Sequence, residues 1–428
     1  MPLLNNIILT LGSRILVVML NILLLFLTTN IMGAEQKGMI SLLTLNLSIV
    51  ALFSGFVGGP SLVYLTPRYK LTHLLALAYS WSILIASCAT WIYTQYLFMT
   101  ELSSWQFFRL ALFESLVSSN LMILLGRKLI GRHNLILVTK PAVVVVFLFV
   151  AIGLGNEINF NDFANGYEWS LYACTGISAV FMISTSKTDP VTNEGKPLFW
   201  NILRLGFFNQ SGNLAQMLNY RLSYYLLEAL ISPPELALVR IGIFSASVQI
   251  AESLWNFSRS VSTVQYSYVA NIEDQKRALH LSLGLARMNL VATAVGIILL
   301  ALLPTSVYTA FLGDQFTETK SLIILLSPGI LALAVSGAFS HYFSGIGKPQ
   351  FNTLASVLGL GLTLLVAYPA IKFYDIAGAA AASALVYTGQ TILQALMLKK
   401  SEEFSWSELI PKPEDFDRLL TAISRILK

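Results

Sequence analysis

Polar side chains recur at helical spacing inside a long apolar stretch that runs from Trp200 to Phe257. On the predicted helix 200–230, side chains three or four residues apart share one face. That face carries Gln210, Asn213, Met217, Arg221, Tyr224 and Glu228. An arginine near the middle of a spanning helix costs about 2.5–3.5 kcal/mol on insertion scales, so such side chains are expected to face a water-filled cavity or a partner. The pattern therefore predicts a polar pathway along this helix.

Further predicted helices carry polar side chains at related spacing. In the first helix Arg14 and Asn21 are seven residues apart and share a face. The fourth helix contributes Glu114, and the eighth carries a stripe of Ser245, Gln249, Glu252 and Asn256. We expect Arg14 and Arg221 to line a cavity. Glu114 and Glu252 are candidates to accept a coupling proton, because a buried carboxyl group binds a proton more readily than an exposed one.

A purely structural interpretation of these residues stays open. Arg221 and Glu228, or Arg240 and Glu252, could pair between helices and serve only to hold them together. Arg204 and Arg240 lie near predicted helix ends, where a long side chain can extend to the membrane surface.

Composition identifies the elements that must position these side chains. The chain has 428 residues, of which 55% are hydrophobic and 11% charged, with a mean hydropathy of +0.69. A helix needs about 20 apolar residues to cross the hydrocarbon core. Runs of that kind fall at 7–32, 39–59, 73–98, 107–125, 135–155, 167–185, 200–230, 236–257, 281–303, 321–340, 353–371 and 376–398. The sequence therefore predicts an all-α polytopic membrane protein with about twelve transmembrane helices.

Loop charges and internal repeats predict how these helices are organised. Lys and Arg cluster in the loops after even-numbered helices, which places both termini on the cytoplasmic side. The acidic loop after Met32 recurs near Ile231, and the basic glycine turn at Gly126 recurs at Gly345. The offset is about 200 residues in both cases. An even number of helices in each half makes the repeats parallel, and transporters of this kind bind substrate between the halves. The predicted domains are six-helix bundles at 1–199 and 200–398, followed by a cytoplasmic amphipathic tail at 399–428.

The sequence offers no catalytic site. Residues 126–131 have the outer spacing of a phosphate-binding loop, but Arg132 and His133 follow where lysine and Ser/Thr are needed. Cys88 and Cys174 lie inside apolar runs and form no CxxC motif. The histidines, at His73, His133, His280 and His341, lack metal-ligand spacing. We therefore expect a protein that is not an enzyme and holds no cofactor or metal.

Three motifs carry a family resemblance when taken in order. They are LGSRILVVMLNILLLFLTTNIMGAEQKGMISLL from position 11, LNYRLSYYLL from position 218, and SGIGKPQFNTLASVLGLGLTLLVAYPAIKFYDIAGAAAASAL from position 344. The chain resembles the polysaccharide transporter family of bacterial flippases over about residues 5–398. That family includes O-antigen (Wzx-type) and capsule flippases of the multidrug/oligosaccharidyl-lipid/polysaccharide (MOP) exporter superfamily.

The resemblance implies a flippase for undecaprenyl-pyrophosphate-linked oligosaccharide repeat units of O-antigen and lipopolysaccharide, capsule or exopolysaccharide. Transport would cross the bacterial cytoplasmic (inner) membrane by alternating access between two pseudo-symmetric bundles. Arginine forks match a pyrophosphate, and amides such as Asn219 and tyrosines match glycan hydroxyls. The expected substrate-binding residues are Arg14, Asn21, Arg204, Gln210, Asn213, Tyr220, Arg221, Tyr224 and Arg240.

The resemblance also implies coupling and partners. We expect coupling to an H⁺ or Na⁺ gradient, with Glu114 and Glu252 as the candidate groups. Many relatives have an acid where this chain has Ser223, which leaves the coupling ion open. The expected partners are the lipid-linked oligosaccharide, membrane lipid, and polymerase and chain-length proteins of the same pathway, with no nucleic acid.

Two other functions fit a chain with about a dozen helices. A multidrug/cation antiporter of the same superfamily would have a more aromatic and acidic cavity with fewer arginines. A membrane polysaccharide polymerase or ligase would need a long external loop for catalysis, and no predicted outer loop has that length.

Overall fold

The computed structural model describes residues 2–96, 102–184, 198–269, 272 and 274–412. Within these ranges every regular element is a helix. Backbone polar groups find no partners in a hydrocarbon layer, and a helix satisfies them internally. The predicted all-α architecture is thus confirmed. The chain forms two compact units, Met1–Leu214 and Ala215–Lys428.

The first unit is built around α5, which packs on α2, α4 and α7, while α6 packs on α1 and α7. Its helices are α1 (Pro2–Phe26), which continues as a π-helical turn (Leu27–Ile31), α2 (Ala34–Gly58), a short α3 (Pro60–Leu65), α4 (Leu71–Tyr96), α5 (Ser104–Gly126), α6 (Ile130–Gly153) and α7 (Phe160–Ile183). The division between the units falls inside α8 (Leu198–Leu230).

The second unit is built around α12, which packs on α9, α10 and α13. Its remaining helices are α9 (Pro234–Val269), α10 (Gln275–Leu302), a short α11 (Thr305–Leu312), α12 (Thr319–Gly345) and α13 (Gln350–Ser401). The 52-residue α13 is interrupted at Asp375, where φ is 53° and ψ is −136°. The last two predicted helices, 353–371 and 376–398, therefore lie on either side of this break.

Among the described residues, nine helices are long and apolar enough to cross a membrane. One of the nine is α13, which supplies two of the predicted spans. The 24-residue α7 and the 33-residue α8 are long enough to span a membrane but carry more polar residues. They correspond to the two remaining predicted spans, 167–185 and 200–230. Each of the twelve predicted runs thus corresponds to a long helical segment. The cytoplasmic location of both termini stays a prediction.

Local sequence signals set several of the helix starts. The side chain of Ser103 accepts a hydrogen bond from the Gln106 amide at 3.2 Å, which caps α5. Asn159 and Asp162 form a reciprocal capping box at the start of α7. Asp274 caps α10 in the same way as Ser103 caps α5. These caps satisfy amides that have no partner within the helix.

Small residues allow the closest helix contacts in each unit. In the first unit an added Cβ at Gly206 would overlap the backbone carbonyl of Phe56. In the second unit an added Cβ at Gly329 would lie 2.6 Å from the Cα atom of Ala384. Both glycines therefore bring two backbones together where a larger side chain would separate them.

The predicted domain limits concern internal repeats and stay predictions. The boundary between the compact units follows Leu214, whereas the boundary between the predicted repeats follows residue 199. In the predicted tail, α13 ends at Ser401 and a 3₁₀ helix follows at Trp406–Leu409. The amphipathic segment of the tail, residues 413–428, lies outside the described part of the chain.

Candidate functional site

The polar face of α8 forms an ion pair with α9 in the second unit. The Nη1 and Nη2 atoms of Arg221 donate to Oε1 and Oε2 of Glu252 at 3.1 and 2.7 Å. This bidentate arrangement is the strong form of an arginine–carboxylate contact. The side chain of Arg221 is 29% exposed and that of Glu252 is 11% exposed. The guanidinium therefore reaches an accessible surface, and the carboxylate lies behind it.

Aromatic side chains surround this ion pair. The ring of Tyr220 meets Tyr387 edge to face at 5.0 Å and Trp255 at 6.0 Å between centroids. The Arg221 guanidinium carbon lies 5.7 Å from the ring centroid of Tyr224. Tyr224 and Tyr387 are both buried. Because aromatic surroundings exclude water, they strengthen the electrostatic interaction between arginine and carboxylate.

Asn219, which precedes Tyr220 on α8, forms a buried hydrogen-bond network with α13. The Nδ2 atom of Asn219 donates to the Ser356 carbonyl and to Oε1 of Gln390, each at 3.2 Å. Its Oδ1 atom accepts from the Thr363 hydroxyl at 2.6 Å. Asn219 was a candidate to bind glycan hydroxyls, but both its nitrogen and its oxygen are used inside the protein. Its role in this structure is to position its neighbours on α8.

Arg240 belongs to a separate cluster in the second unit. Its guanidinium lies 2.5 Å from Oε1 of Glu318 and 2.8 Å from Oδ2 of Asp375. Glu318 immediately precedes α12, and Asp375 is the break in α13, so one arginine joins three helices near their ends. The pairing considered from the sequence, Arg240 with Glu252, does not occur, because Glu252 is engaged by Arg221.

The first unit contains a second, partly buried ion pair, between α5 and α6. The Nζ atom of Lys140 donates to both carboxylate oxygens of Glu114 at 2.8 and 2.7 Å, and the Tyr167 hydroxyl donates to Oε2 at 3.0 Å. As in the second unit, the cation is more exposed than the carboxylate, at 27% against 15%. Glu114 was a sequence candidate, whereas Lys140 was missed. Its only sequence signal is a single lysine inside an apolar run.

A third pair lies nearer the start of α5. Arg109 Nε and Nη2 donate to the two oxygens of Glu168 at 2.6 and 3.2 Å, and the Tyr172 hydroxyl donates to the same carboxylate. None of these residues was singled out from the sequence. Arg109 lies on α5 and Glu168 on α7, so no spacing within one helix reveals the pair.

The structure brings together only part of the predicted set. The aromatic group around Glu252 includes Arg221, Tyr220 and Tyr224. Arg240 lies instead in the cluster with Glu318 and Asp375. The other predicted residues lie in the first unit. Arg14, Asn21, Arg204 and Asn213 are exposed, and Gln210 is buried. The Oε1 atom of Gln210 accepts from Asn213 at 2.9 Å. In the described part of the chain, no group of three or more His, Cys, Asp or Glu side chains is placed to hold a metal.

Sequence comparison gives a partial match to a curated protein. No family model matches the chain. Over 126 residues it is 25% identical to the lipid II flippase MurJ of Bacillus subtilis (strain 168). That stretch covers 29% of this chain and 23% of the relative, so the match spans less than a quarter of the relative's length.

Comparison with solved structures covers nearly the whole chain. A multidrug resistance MATE family transporter of the MOP superfamily, in an inward-facing conformation, has a TM-score of 0.67 at 13% identity, covering 92% of this chain and 97% of that one. The inward closed lipid II flippase MurJ has a TM-score of 0.65 at 15% identity, covering 97% and 90%. A MOP superfamily transporter from Pyrococcus furiosus has a TM-score of 0.65 at 12% identity, covering 92% and 93%. The chain therefore has the fold of the MOP superfamily transporters.

Proposed function

We propose that the chain is a flippase for undecaprenyl-pyrophosphate-linked oligosaccharide repeat units of O-antigen, capsule or exopolysaccharide. The observation that carries the proposal is the partly exposed guanidinium of Arg221, held among aromatic side chains by a carboxylate behind it. A lipid-linked substrate with an anionic head and a polar glycan needs such a cation at membrane depth. The similarity to a protein named as a lipid II flippase supports this substrate class.

The Arg221–Glu252 pair could bind an anionic substrate reversibly, because the carboxylate can replace the anion when it leaves. A pyrophosphate presents the same fork geometry to arginine as Glu252 does, so the two compete for one guanidinium. In the empty protein the carboxylate compensates the arginine charge. When the phosphate replaces it, Glu252 loses its partner.

This exchange favours H⁺ as the coupling ion. A carboxylate without a partner at membrane depth is costly, and uptake of a proton makes it neutral. Glu252 is the proposed proton acceptor in the second unit. Glu114, whose partner is Lys140, is the proposed acceptor in the first unit. We further propose the bacterial cytoplasmic membrane as the location, with polymerase and chain-length proteins of the pathway as partners.

A multidrug/cation antiporter is the second candidate function. The specific observation in its favour is the aromatic group around Glu252, which includes Tyr220, Tyr224 and Trp255. Tyrosine and tryptophan faces attract organic cations, and a nearby carboxylate adds to that attraction. On this alternative the cation would replace Arg221 as the partner of Glu252.

The test is flipping of a fluorescent undecaprenyl-pyrophosphate oligosaccharide in proteoliposomes. We expect Arg221→Ala to abolish flipping and Arg221→Lys to retain part of it, since lysine keeps the charge and loses the fork. Lys372→Gln, which removes an exposed charge on α13, serves as the matched control and should flip at the wild-type rate. Flipping that is unaffected by Arg221→Ala would remove the site. Absence of flipping together with efflux of a cationic dye would favour the antiporter.

A further inference from the structure

The break in α13 is a tight turn that lies between the last two predicted spans and outside both. Asp375, in this turn, has a φ of 53° and a ψ of −136°, and residues other than glycine rarely adopt a positive φ. The two arms of the turn are in close contact, because an added Cβ at Gly378 would overlap the backbone carbonyl of Ala370. Backbone strain of this kind persists only where the surroundings hold the residue in place.

One guanidinium serves two carboxylates at this turn. The Nη1 atom of Arg240 donates to Oε1 of Glu318 at 2.5 Å. Its Nε atom lies 2.8 Å from Oδ2 of Asp375, but without the geometry of a hydrogen bond. The other oxygen of Asp375, Oδ1, is buried and has no hydrogen-bond partner in the described part of the chain. Glu318 therefore has the better contact with the cation, and the Asp375 carboxylate is poorly compensated.

The cluster has excess negative charge when both carboxyl groups are ionised. Arg240 contributes one positive charge, whereas Glu318 and Asp375 each contribute a negative charge. The nearby lysines do not correct the excess, because Lys320 and Lys372 both lie beyond ion-pair distance of these two carboxylates. A partly buried carboxylate without compensation is costly, and binding of one proton removes the excess charge.

We propose that Asp375 binds one proton in this closed arrangement of the turn, and that loss of the proton opens the turn. The protonated carboxyl group is neutral and can donate a hydrogen bond, and the Arg240–Glu318 pair remains as a neutral unit. Ionisation restores the excess charge at a residue whose backbone is already strained. Opening hydrates Asp375 and releases α13 from α9 and from the start of α12.

Burial sets the direction of the pH dependence. Burial raises the pKa of the Asp375 carboxyl, the Arg240 charge and the Ile376 backbone amide oppose the rise, and the Glu318 charge adds to it. In an open, hydrated turn the same carboxyl has about the ordinary pKa of aspartate, roughly 3.9. The closed turn therefore binds the proton more tightly than the open turn. Lower pH favours the closed turn, and higher pH favours the open turn.

The test measures the mobility of a nitroxide label at Phe373→Cys, an exposed position of the turn, in the purified full-length chain with Cys88→Ser. Cys174 is buried and is not expected to react with the label. The mobile component of the spectrum should be at least about threefold larger at about pH 9 than at about pH 5. Asp375→Asn, which is neutral at both pH values, should keep the label ordered at both. Difference infrared spectroscopy should show a protonated carboxyl band that disappears at the higher pH and that Asp375→Asn lacks.

Two further variants separate proton binding from a general effect of pH. Glu318→Gln removes the competing carboxylate, so Arg240 compensates Asp375 alone, and the mobile component at about pH 9 should fall at least about twofold. Lys320→Gln is the matched control, because it removes a nearby charge that is not paired with either carboxylate, and it should keep the wild-type profile. The test needs no substrate, so its outcome is independent of the proposed flippase function.

Three results would overturn the proposal. The first is equal mobility of the label at the two pH values in the wild type. The second is a wild-type pH profile in Asp375→Asn. The third is greater mobility at the lower pH, because that sign would mean that the closed turn requires the ionised carboxylate. If Asp375→Asn does not fold, Asp375→Gly replaces it, since glycine accepts a positive φ.

Discussion

Removing Arg221 should destabilise the protein more than removing its partner Glu252. Arg221→Met leaves a carboxylate that is only 11% exposed, whereas Glu252→Gln leaves a guanidinium that is 29% exposed. Breaking a buried pair costs about 3–5 kcal/mol, and partial exposure reduces that cost. We therefore expect a loss of about 3 kcal/mol for Arg221→Met. The loss for Glu252→Gln should be about 1–2 kcal/mol, because glutamine still accepts one hydrogen bond.

The double variant tests whether the pair acts as a unit. The double variant Arg221→Met/Glu252→Gln contains neither charge, so no buried charge lacks a partner. Its free energy of unfolding should therefore fall by only about 1–2 kcal/mol. The midpoints of these losses give a coupling energy of about 3 kcal/mol for the cycle, at the upper end of the range for residues in one network. For a unit the size of Ala215–Lys428, each kcal/mol corresponds to roughly 2–4 °C in Tm.

The assay is tryptophan fluorescence during thermal unfolding in detergent, because Trp255 lies in the aromatic group beside the pair. Detergent and lipid must be held constant, since bound ligands shift Tm. Losses that add within about 0.5 kcal/mol would refute the reasoning, because independent sites behave that way. A larger loss for Glu252→Gln than for Arg221→Met would refute the assignment of the carboxylate as the more buried partner.

Two further predictions concern buried hydrogen bonds. Asn219→Ala should lower stability by about 2 kcal/mol, because it leaves the buried Gln390 amide oxygen without the Asn219 donor and removes the acceptor of the Thr363 hydroxyl, which keeps only the Gly359 carbonyl. The control Asn21→Ala, at an exposed position of α1, should change stability by less than about 0.5 kcal/mol. Equal effects in thermal unfolding would contradict this. Tyr167→Phe should cost about 1 kcal/mol through the lost bond to Glu114. No change in Tm would show that this hydroxyl contributes nothing.

Some features of the site followed from helical periodicity. Arg221 and Tyr224 are three residues apart, so any helix through them places both on one face, and the structure has them in contact. The length of each apolar run likewise limits where a spanning helix begins and ends. The break at Asp375 lies between two predicted runs, although α13 continues on both sides of it.

Partners across helices did not follow from the sequence. Glu228 shares the polar stripe of Arg221, yet the partner is Glu252 on the next helix. Lys140 gave only a weak signal because one lysine in an apolar run is compatible with many neighbours. Asn219 looks like a ligand-binding amide by type, but α13 supplies all its hydrogen-bond partners.

The sequence by itself determined the all-helical membrane class, the approximate helix limits and the faces that carry polar residues. Those properties depend on local composition and on a periodicity of 3.6 residues, which one chain displays directly. Only the tertiary structure decided which cation meets which carboxylate and that Arg240 joins three helix ends. These features depend on the depth and rotation at which helices distant in sequence pack, and the side chains of one helix do not specify either.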